Sequence, residues 1–282
     1  MALSETLKLL FNITHFYPDR AAAFSKSIPH ILTLLARRKD QDPPLQQPVN
    51  YLLNSLINLK LEEVKPENAN SNPLFPIKDP KFNAGTLIGI LDRTVTLYPE
   101  GEVDQLAAPL VTLLRKIYEL SPEMVQTFMQ MLILPSDDER NKPLGKSNTL
   151  SSRLLQLSTS PMTPTLRDNL SSLFFELSGK DAENFVDNIG YGFASGFLMT
   201  HNLQNPTSVT QSRSESEDRR RTEARKTRRH TAFPINPVTG QKVSAEAVVE
   251  DQPEMTEAEK QREAEKLFVL FERFVTLESC AL

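Results

Sequence analysis

The sequence has few of the residues that build disulfide-bonded, β-rich or membrane-spanning proteins. It contains 1 Cys, 9 Gly and no Trp in 282 residues. The single thiol, Cys280, excludes an internal disulfide and fits a reducing compartment. No apolar run reaches the roughly 18 residues of a membrane helix, and no cationic stretch followed by an apolar one marks a signal peptide. Scarce glycine and abundant leucine favour helices over sheet.

A catalytic or metal-binding constellation is also lacking. The four His residues are scattered, without the spacing of metal ligands. Gly145-Lys146-Ser147 ends like a phosphate-binding loop, but Arg140 stands where that loop needs its first glycine. In the same way, Ser195 replaces the third glycine of a dinucleotide fingerprint that would start at Gly190. We therefore expect no enzyme, no metal and no cofactor.

One five-residue phrase recurs four times, and each copy closes an apolar helical pattern. It consists of two apolar residues, an amide or carboxylate, a further apolar residue and usually a hydroxyl. Successive copies start 46, 61 and 57 residues apart. Allowing for insertions, this spacing is typical of armadillo or HEAT repeats, which bury their apolar faces only by stacking. The sequence predicts an all-α armadillo/HEAT-type superhelix, with the phrase at 10–14, 56–60, 117–121 and 174–178.

Apolar periodicity predicts where the helices lie. Pro29 is expected to break the second helix, and Pro109 to kink the fifth or divide it in two. The first helix has no partner before it, so we expect the chain to begin inside the array, as an N-terminally truncated form. The predicted helices cover 1–16, 20–37, 48–60, 82–98, 103–120, 122–134, 149–158, 164–178 and 181–200, the last interrupted at Gly190-Tyr191-Gly192.

Composition predicts three regions: the array at 1–200, a disordered basic linker at 201–234 and a tail at 235–282. The linker holds eight Lys or Arg between Arg213 and Arg229. That run is a solvated charge tract, or it binds nucleic acid, an import receptor or an acidic protein. Acidic residues that follow closely make nearby serines candidate phosphorylation sites, namely Ser212, Ser214 and Ser216.

The tail begins with a turn, Asn236-Pro237-Val238-Thr239-Gly240, and continues into an acidic stretch. Thr256 and Glu259 form a capping box for a helix at about 257–276. The second half of this helix presents an apolar face to a partner, formed by Leu267, Leu270, Phe271 and Phe274.

The polar position of the phrase predicts a ladder of partner-binding side chains on the concave face of the array. The amides of Asn12 and Asn58 could each donate to and accept from a bound backbone. Residues four positions earlier share the same helical face. The alternative is that these side chains cap neighbouring helices or are solvated. The candidate pairs are Lys8 with Asn12, Asn54 with Asn58, and Arg115 with Glu119.

Several segments together resemble the synembryn family, which comprises exchange factors and chaperones for heterotrimeric G-protein α subunits (Gα). The resemblance covers essentially the whole chain, and the loop Leu144-Gly145-Lys146-Ser147 is similar to the fungal branch. The segments that carry it are Ala2 to Thr14, Gly190 to Gly196, Ile235 to Gly240, and the acidic tract with Met255 to Phe274.

This resemblance implies that the concave face captures the C-terminal helix of Gα while the tail helix braces the nucleotide-binding domain. GDP then leaves, and nucleotide-free Gα is held until GTP binds. It also implies a cytoplasmic protein that reaches the plasma membrane through Gα. From the residues alone, a helical-repeat adaptor for an unrelated peptide remains the competing class. Asn54→Ala with Asn58→Ala is expected to weaken binding of a Gα C-terminal peptide.

Overall fold

A computed structural model describes residues 2–63, 72–203, 235–236, 238–246 and 261–262. The chain divides into a compact unit, Met1–Ala245, and a second unit, Glu246–Leu282. In the second unit the described residues are Glu246, Gln261 and Arg262, and all three are helical. The stacked helices of residues 2–203 lie entirely in the first unit.

Helices dominate the described chain, and its only β pairing consists of two isolated bridges, Asn72 with Phe75 and Ile235 with Lys242. None of the described helices combines the length and apolar composition that a membrane span requires. A 3-10 helix, Pro18–Ser27, leads into α2, and short 3-10 turns occupy Leu61–Glu63 and Glu139–Asn141. The α-helices are α1 Ala2–Phe16, α2 Ile28–Arg37, α3 Val49–Asn58, α4 Phe82–Leu97, α5 Glu100–Leu120, α6 Glu123–Ile133, α7 Leu150–Leu157, α8 Pro164–Leu177, α9 Ala182–Ile189, α10 Tyr191–Thr200 and α11 Val243–Glu246.

The four copies of the phrase lie in α1, α3, α5 and α8, and these helices form one row. Along this row α1 packs on α3, α3 on α5, and α5 on α8, while the other helices of residues 2–203 pack behind or beside it. The first phrase residue is fully buried in three copies: Leu56, Ile117 and Phe174. The phrase therefore marks the stacking helix of each repeat, and the all-α helical-repeat fold is confirmed.

The hydroxyl that ends most copies of the phrase is satisfied by its own helix. Thr14 and Ser178 donate through their side chains to the carbonyls four residues earlier, both at 2.8 Å. Ser121 donates to the carbonyl of Tyr118 at 2.9 Å. A buried hydroxyl without a partner would be costly, so these local bonds allow each of the three copies to end in a polar residue inside the stack.

Two proline predictions have different outcomes. Pro29 lies in the first turn of α2, where the missing N–H costs nothing, and the 3-10 helix ends just before it, so the predicted break is confirmed. Division of the fifth helix at Pro109 is wrong: α5 runs unbroken from Glu100 to Leu120. Buried side chains on both sides of the proline, such as Ala107 and Leu110, hold α5 against its neighbours through the interruption.

The loop between α6 and α7 is organised around one carboxylate. Glu139 accepts from the backbone N–H of Ser136 at 2.8 Å and from the hydroxyls of Thr149 and Ser151. Burial alone would raise the pKa of Glu139, but these hydrogen bonds to the ionised form outweigh it and leave the pKa lowered. The loop is thus held as a defined structure against the start of α7.

Candidate functional site

A groove with a cavity of about 440 Å³ opens on the row where α3, α5 and α8 meet. Its centre is one face of α5, on which Ala108 and Pro109 are small enough to leave a depression. Apolar walls come from the phrase residues Phe11 and Ile57. Polar groups surround them, supplied by Asn54, Asp104, Gln105, Thr112, Thr165 and Asn169. Apolar surface with a few polar groups is the usual make-up of a binding site.

Two amides of this groove have unused hydrogen-bonding capacity. The side chains of Asn54 on α3 and Gln105 on α5 both line the cavity, and neither makes a hydrogen bond to another described residue. Each offers two N–H donors and one carbonyl acceptor. Both side chains could therefore hydrogen-bond to the backbone of a bound segment.

Pro109 adds a third polar group to the groove. Proline has no N–H, so the carbonyl of Gln105, four residues earlier in α5, loses its helical donor. Both residues line the cavity. This carbonyl therefore lies at the groove without its usual i+4 helical donor.

The wall formed by α8 is joined to α5 by hydrogen bonds and an ion pair. The Oδ1 of Asn169 accepts from Thr112 Oγ1 and from Arg115 Nη1, both at 3.4 Å. Arg115 also donates through Nε and Nη2 to Glu176 Oε1, at 3.1 and 2.6 Å. At the other end of this wall, Asp104 accepts the backbone N–H of Leu166 at 2.7 Å. These contacts join α5 to α8 along this side of the groove.

The six predicted groove residues occupy three different settings. Asn54 lines the cavity. Asn58 donates its amide to the carbonyl of Phe11 on the previous helix of the row, at 3.4 Å, and Arg115 joins α5 to α8. Three others are exposed: Lys8 pairs with Glu5 at 2.9 Å, Glu119 lies 3.8 Å from Lys180, and Asn12 is on the surface of α1. Their roles in partner binding remain predictions.

Most of the groove lining is missing from the sequence prediction. Thr112 and Asn169 are 57 residues apart, as are Ala108 and Thr165, which is also the spacing between the third and fourth phrases. The same 57-residue shift, applied to the positions five and nine residues before the third phrase, would find the matching positions before the fourth. The predicted tail residues Leu267, Leu270, Phe271 and Phe274, and the serines Ser212, Ser214 and Ser216, lie outside the described residues.

A second cavity, about 500 Å³, lies over α4 and α6, away from the row. Its wall includes the glycine face of α4 and the charged residues Lys39, Asp79 and Lys81. Arg93, also in the wall, donates to the carbonyl of Lys39 at 2.9 Å and pairs with Asp42 at 3.6 Å. The groove on the row is the better candidate, because residues of the recurrent phrase, Phe11 and Ile57, line it.

The fold defines a class of protein: an all-α helical-repeat array, here with a groove on its row of stacking helices. The model of the family described as guanine nucleotide exchange factor synembryn matches residues 1–277, so this chain belongs to that family. The chain is 25% identical over 284 residues to a synembryn-like chaperone of Schizosaccharomyces pombe. That match covers 97% of this chain and 51% of the relative, so the chain spans about half the length of this curated relative.

Proposed function

We propose that this chain is a guanine nucleotide exchange factor and folding chaperone for Gα, and that it binds the C-terminal helix of Gα in the groove between α3, α5 and α8. One observation carries the proposal: in a chain of the synembryn family, the helices marked by the recurrent phrase form a groove in which the amides of Asn54 and Gln105 bond to no other described residue. The relative is named a synembryn-like chaperone, and this name supports the proposed chaperone activity.

The mechanism needs differential affinity and no covalent chemistry. A groove that holds the C-terminal helix of Gα away from its own sheet binds the open, nucleotide-free form better than the closed form. Binding then shifts Gα towards the open form, and GDP leaves. Linkage makes the effect reciprocal, so GTP, which favours the closed form, must weaken the complex. Because the groove binds the open form of Gα more tightly, it would also stabilise a Gα folding intermediate that has not yet closed. In this proposal the protein acts in the cytoplasm and reaches the plasma membrane through Gα.

The unpaired amides provide the first test. In the full chain, Asn54→Ala with Gln105→Ala should raise the Kd for a synthetic Gα C-terminal peptide about 10- to 50-fold, since each lost hydrogen bond costs about 1 kcal/mol. Titration calorimetry measures this. Asn58→Ala is measured separately, because its amide already joins α3 to α1.

The matched control is Asn184→Ala with Gln46→Ala, which removes the same two amides from exposed positions outside the groove. This control should bind like wild type. Equal affinity of all the variants would exclude the groove as the peptide site. Binding of basic localisation peptides instead of the Gα peptide would favour a helical-repeat adaptor.

Pro109→Ala is expected to change stability and binding in opposite directions. It restores the hydrogen bond to the carbonyl of Gln105, so unfolding should cost about 1–3 kcal/mol more. The same bond removes an acceptor from the groove, so the affinity for the Gα peptide should fall a few-fold, by about 1 kcal/mol or less. Thermal melts and the same titration measure both effects. A variant that is less stable than wild type, or that binds more tightly, would contradict this role of Pro109.

A further inference from the structure

The groove continues along α8 into a second depression. A cavity of about 390 Å³ adjoins the cavity of about 440 Å³, and Thr165 and Asn169 line both of them. Residues 165, 168, 169 and 172 are three or four positions apart, so they lie on one face of α8. All four side chains on this face are short and polar, which leaves it open to a bound segment.

The charged residues in the two linings are both acidic: Asp104 on α5 and Asp168 on α8. Among the described residues, no lysine or arginine lines either cavity. A depression whose walls carry charge of one sign attracts ions of the opposite sign and speeds their association. The groove therefore favours a cationic segment.

The cations next to the groove are balanced by carboxylates of the chain itself. Arg115 pairs with Glu176, with Nη2 at 2.6 Å from Oε1. Lys116 lines another cavity, whose lining holds two lysines and two glutamates. Neither cation offsets the negative charge of the two aspartates.

The two aspartates differ in how far their charge is already compensated. Asp104 accepts the N–H of Leu166 in the first turn of α8, where the positive end of the helix dipole offsets part of its charge. The only described cation within ion-pair distance of Asp168 is Arg167, at 3.4 Å, and these side chains are 80% and 41% exposed. Exposed pairs contribute little to stability, so a cation on a bound segment can displace Arg167. Asp168 therefore provides most of the attraction.

We propose that the groove selects a segment with lysine or arginine on its polar side, and that Asp168, assisted by Asp104, determines this specificity. The apolar side of the same segment packs on Phe11 and Ile57. The inference rests on the proposed function, in which the occupant is the C-terminal helix of Gα. It adds that the charge of this helix determines how fast and how tightly it binds, because electrostatic complementarity acts mainly on association.

Removal of both charges tests the proposal. In the full chain, Asp104→Asn with Asp168→Asn should raise the Kd for the Gα C-terminal peptide about 3- to 10-fold at low salt, mainly through slower association. It should also flatten the salt dependence of binding, because fewer screened charges remain. An asparagine keeps the oxygen that accepts from Leu166. Stopped-flow fluorescence of a labelled peptide at low and high salt measures both effects.

The matched control is Asp19→Asn with Asp138→Asn. It removes the same two charges from exposed positions that line neither cavity. This control should bind the peptide like wild type, with the same salt dependence.

An exchange of charges separates specificity from a structural role. Asp168→Lys should bind the unmodified peptide about 10-fold more weakly than wild type does. It should bind a peptide in which every Lys and Arg is replaced by Glu more tightly than wild type does. A loss of structure would weaken binding of both peptides, and that result would overturn the proposal.

Peptide variants decide the remaining outcomes. Equal affinity of wild type for the Gα peptide and for a form with every Lys and Arg replaced by Gln would overturn the inference while the proposed function stands. Equally tight binding of a scrambled peptide of the same composition would also overturn it, since attraction would then not depend on fit to the groove. If wild type does not bind the Gα peptide at all, the proposed function itself fails, and the inference fails with it.

Discussion

Thr112→Trp is expected to weaken binding of the Gα C-terminal peptide by about 100-fold or more, as expected for blocking the centre of an interface. Thr112 is half-buried in the wall of the groove on α5, and its Oγ1 donates to the carbonyl of Ala108 at 2.9 Å and to Asn169 at 3.4 Å. An indole at this position would occupy the cavity of about 440 Å³ and displace any bound segment. Fluorescence anisotropy of a labelled peptide measures the affinity.

The control makes the same substitution on a neighbouring helix. Thr96 of α4 is exposed and donates to the carbonyl of Asp92 at 2.7 Å, as Thr112 does to Ala108. Thr96→Trp should bind the peptide like wild type. Both variants should keep the helical circular-dichroism spectrum of wild type. Full peptide binding by a folded Thr112→Trp variant would show that the peptide binds elsewhere.

Phe174→Ala is expected to lower the free energy of unfolding by about 3–5 kcal/mol, the usual cost of a large cavity in a core. Phe174 opens the fourth phrase, is completely buried, and lies in α8. That helix packs against both α5 in the row and α9 beyond it. In a stacked array each repeat is stabilised by its neighbours, so the loss should reach beyond α8. Urea unfolding followed by circular dichroism measures it.

Phe16→Ala is the comparison, because Phe16 in α1 is 71% exposed. Its truncation should change stability by no more than about 0.5 kcal/mol. Equal losses for the two variants would mean that burial in the row does not determine stability. A loss at Phe174 confined to hydrogen exchange within α8 would contradict coupling between the repeats.

The helices can be predicted from sequence because apolar periodicity reports which face is buried. The phrase locates the row correctly, since its first apolar residue must pack wherever the repeats stack. Pro109 shows the limit of such rules. Local propensity predicts a broken helix, but burial on both sides of the proline outweighs it and keeps α5 continuous.

The site can be predicted only in part. Asn54 is predicted because it lies four residues before Asn58, on the same helical face. The contacts that Asn58 and Arg115 make depend instead on how the helices pack against each other. Similarly, the loop at Leu144, the glycines from Gly190 and the turn ending at Gly240 are visible as motifs in the sequence. Leu144 and Gly190 both lie beside Gly240, and this contact depends on tertiary structure, which no spacing along the chain encodes.

Exchange activity through the groove is measured directly by the rate of GDP release from purified full-length Gα, with and without this chain. We expect faster release with wild type and with Thr96→Trp, no acceleration with Thr112→Trp, and loss of the complex when GTP is added in excess. A wild-type chain that leaves GDP release unchanged would contradict the proposed exchange activity. A Thr112→Trp variant that accelerates release as wild type does would contradict the assignment of that activity to the groove.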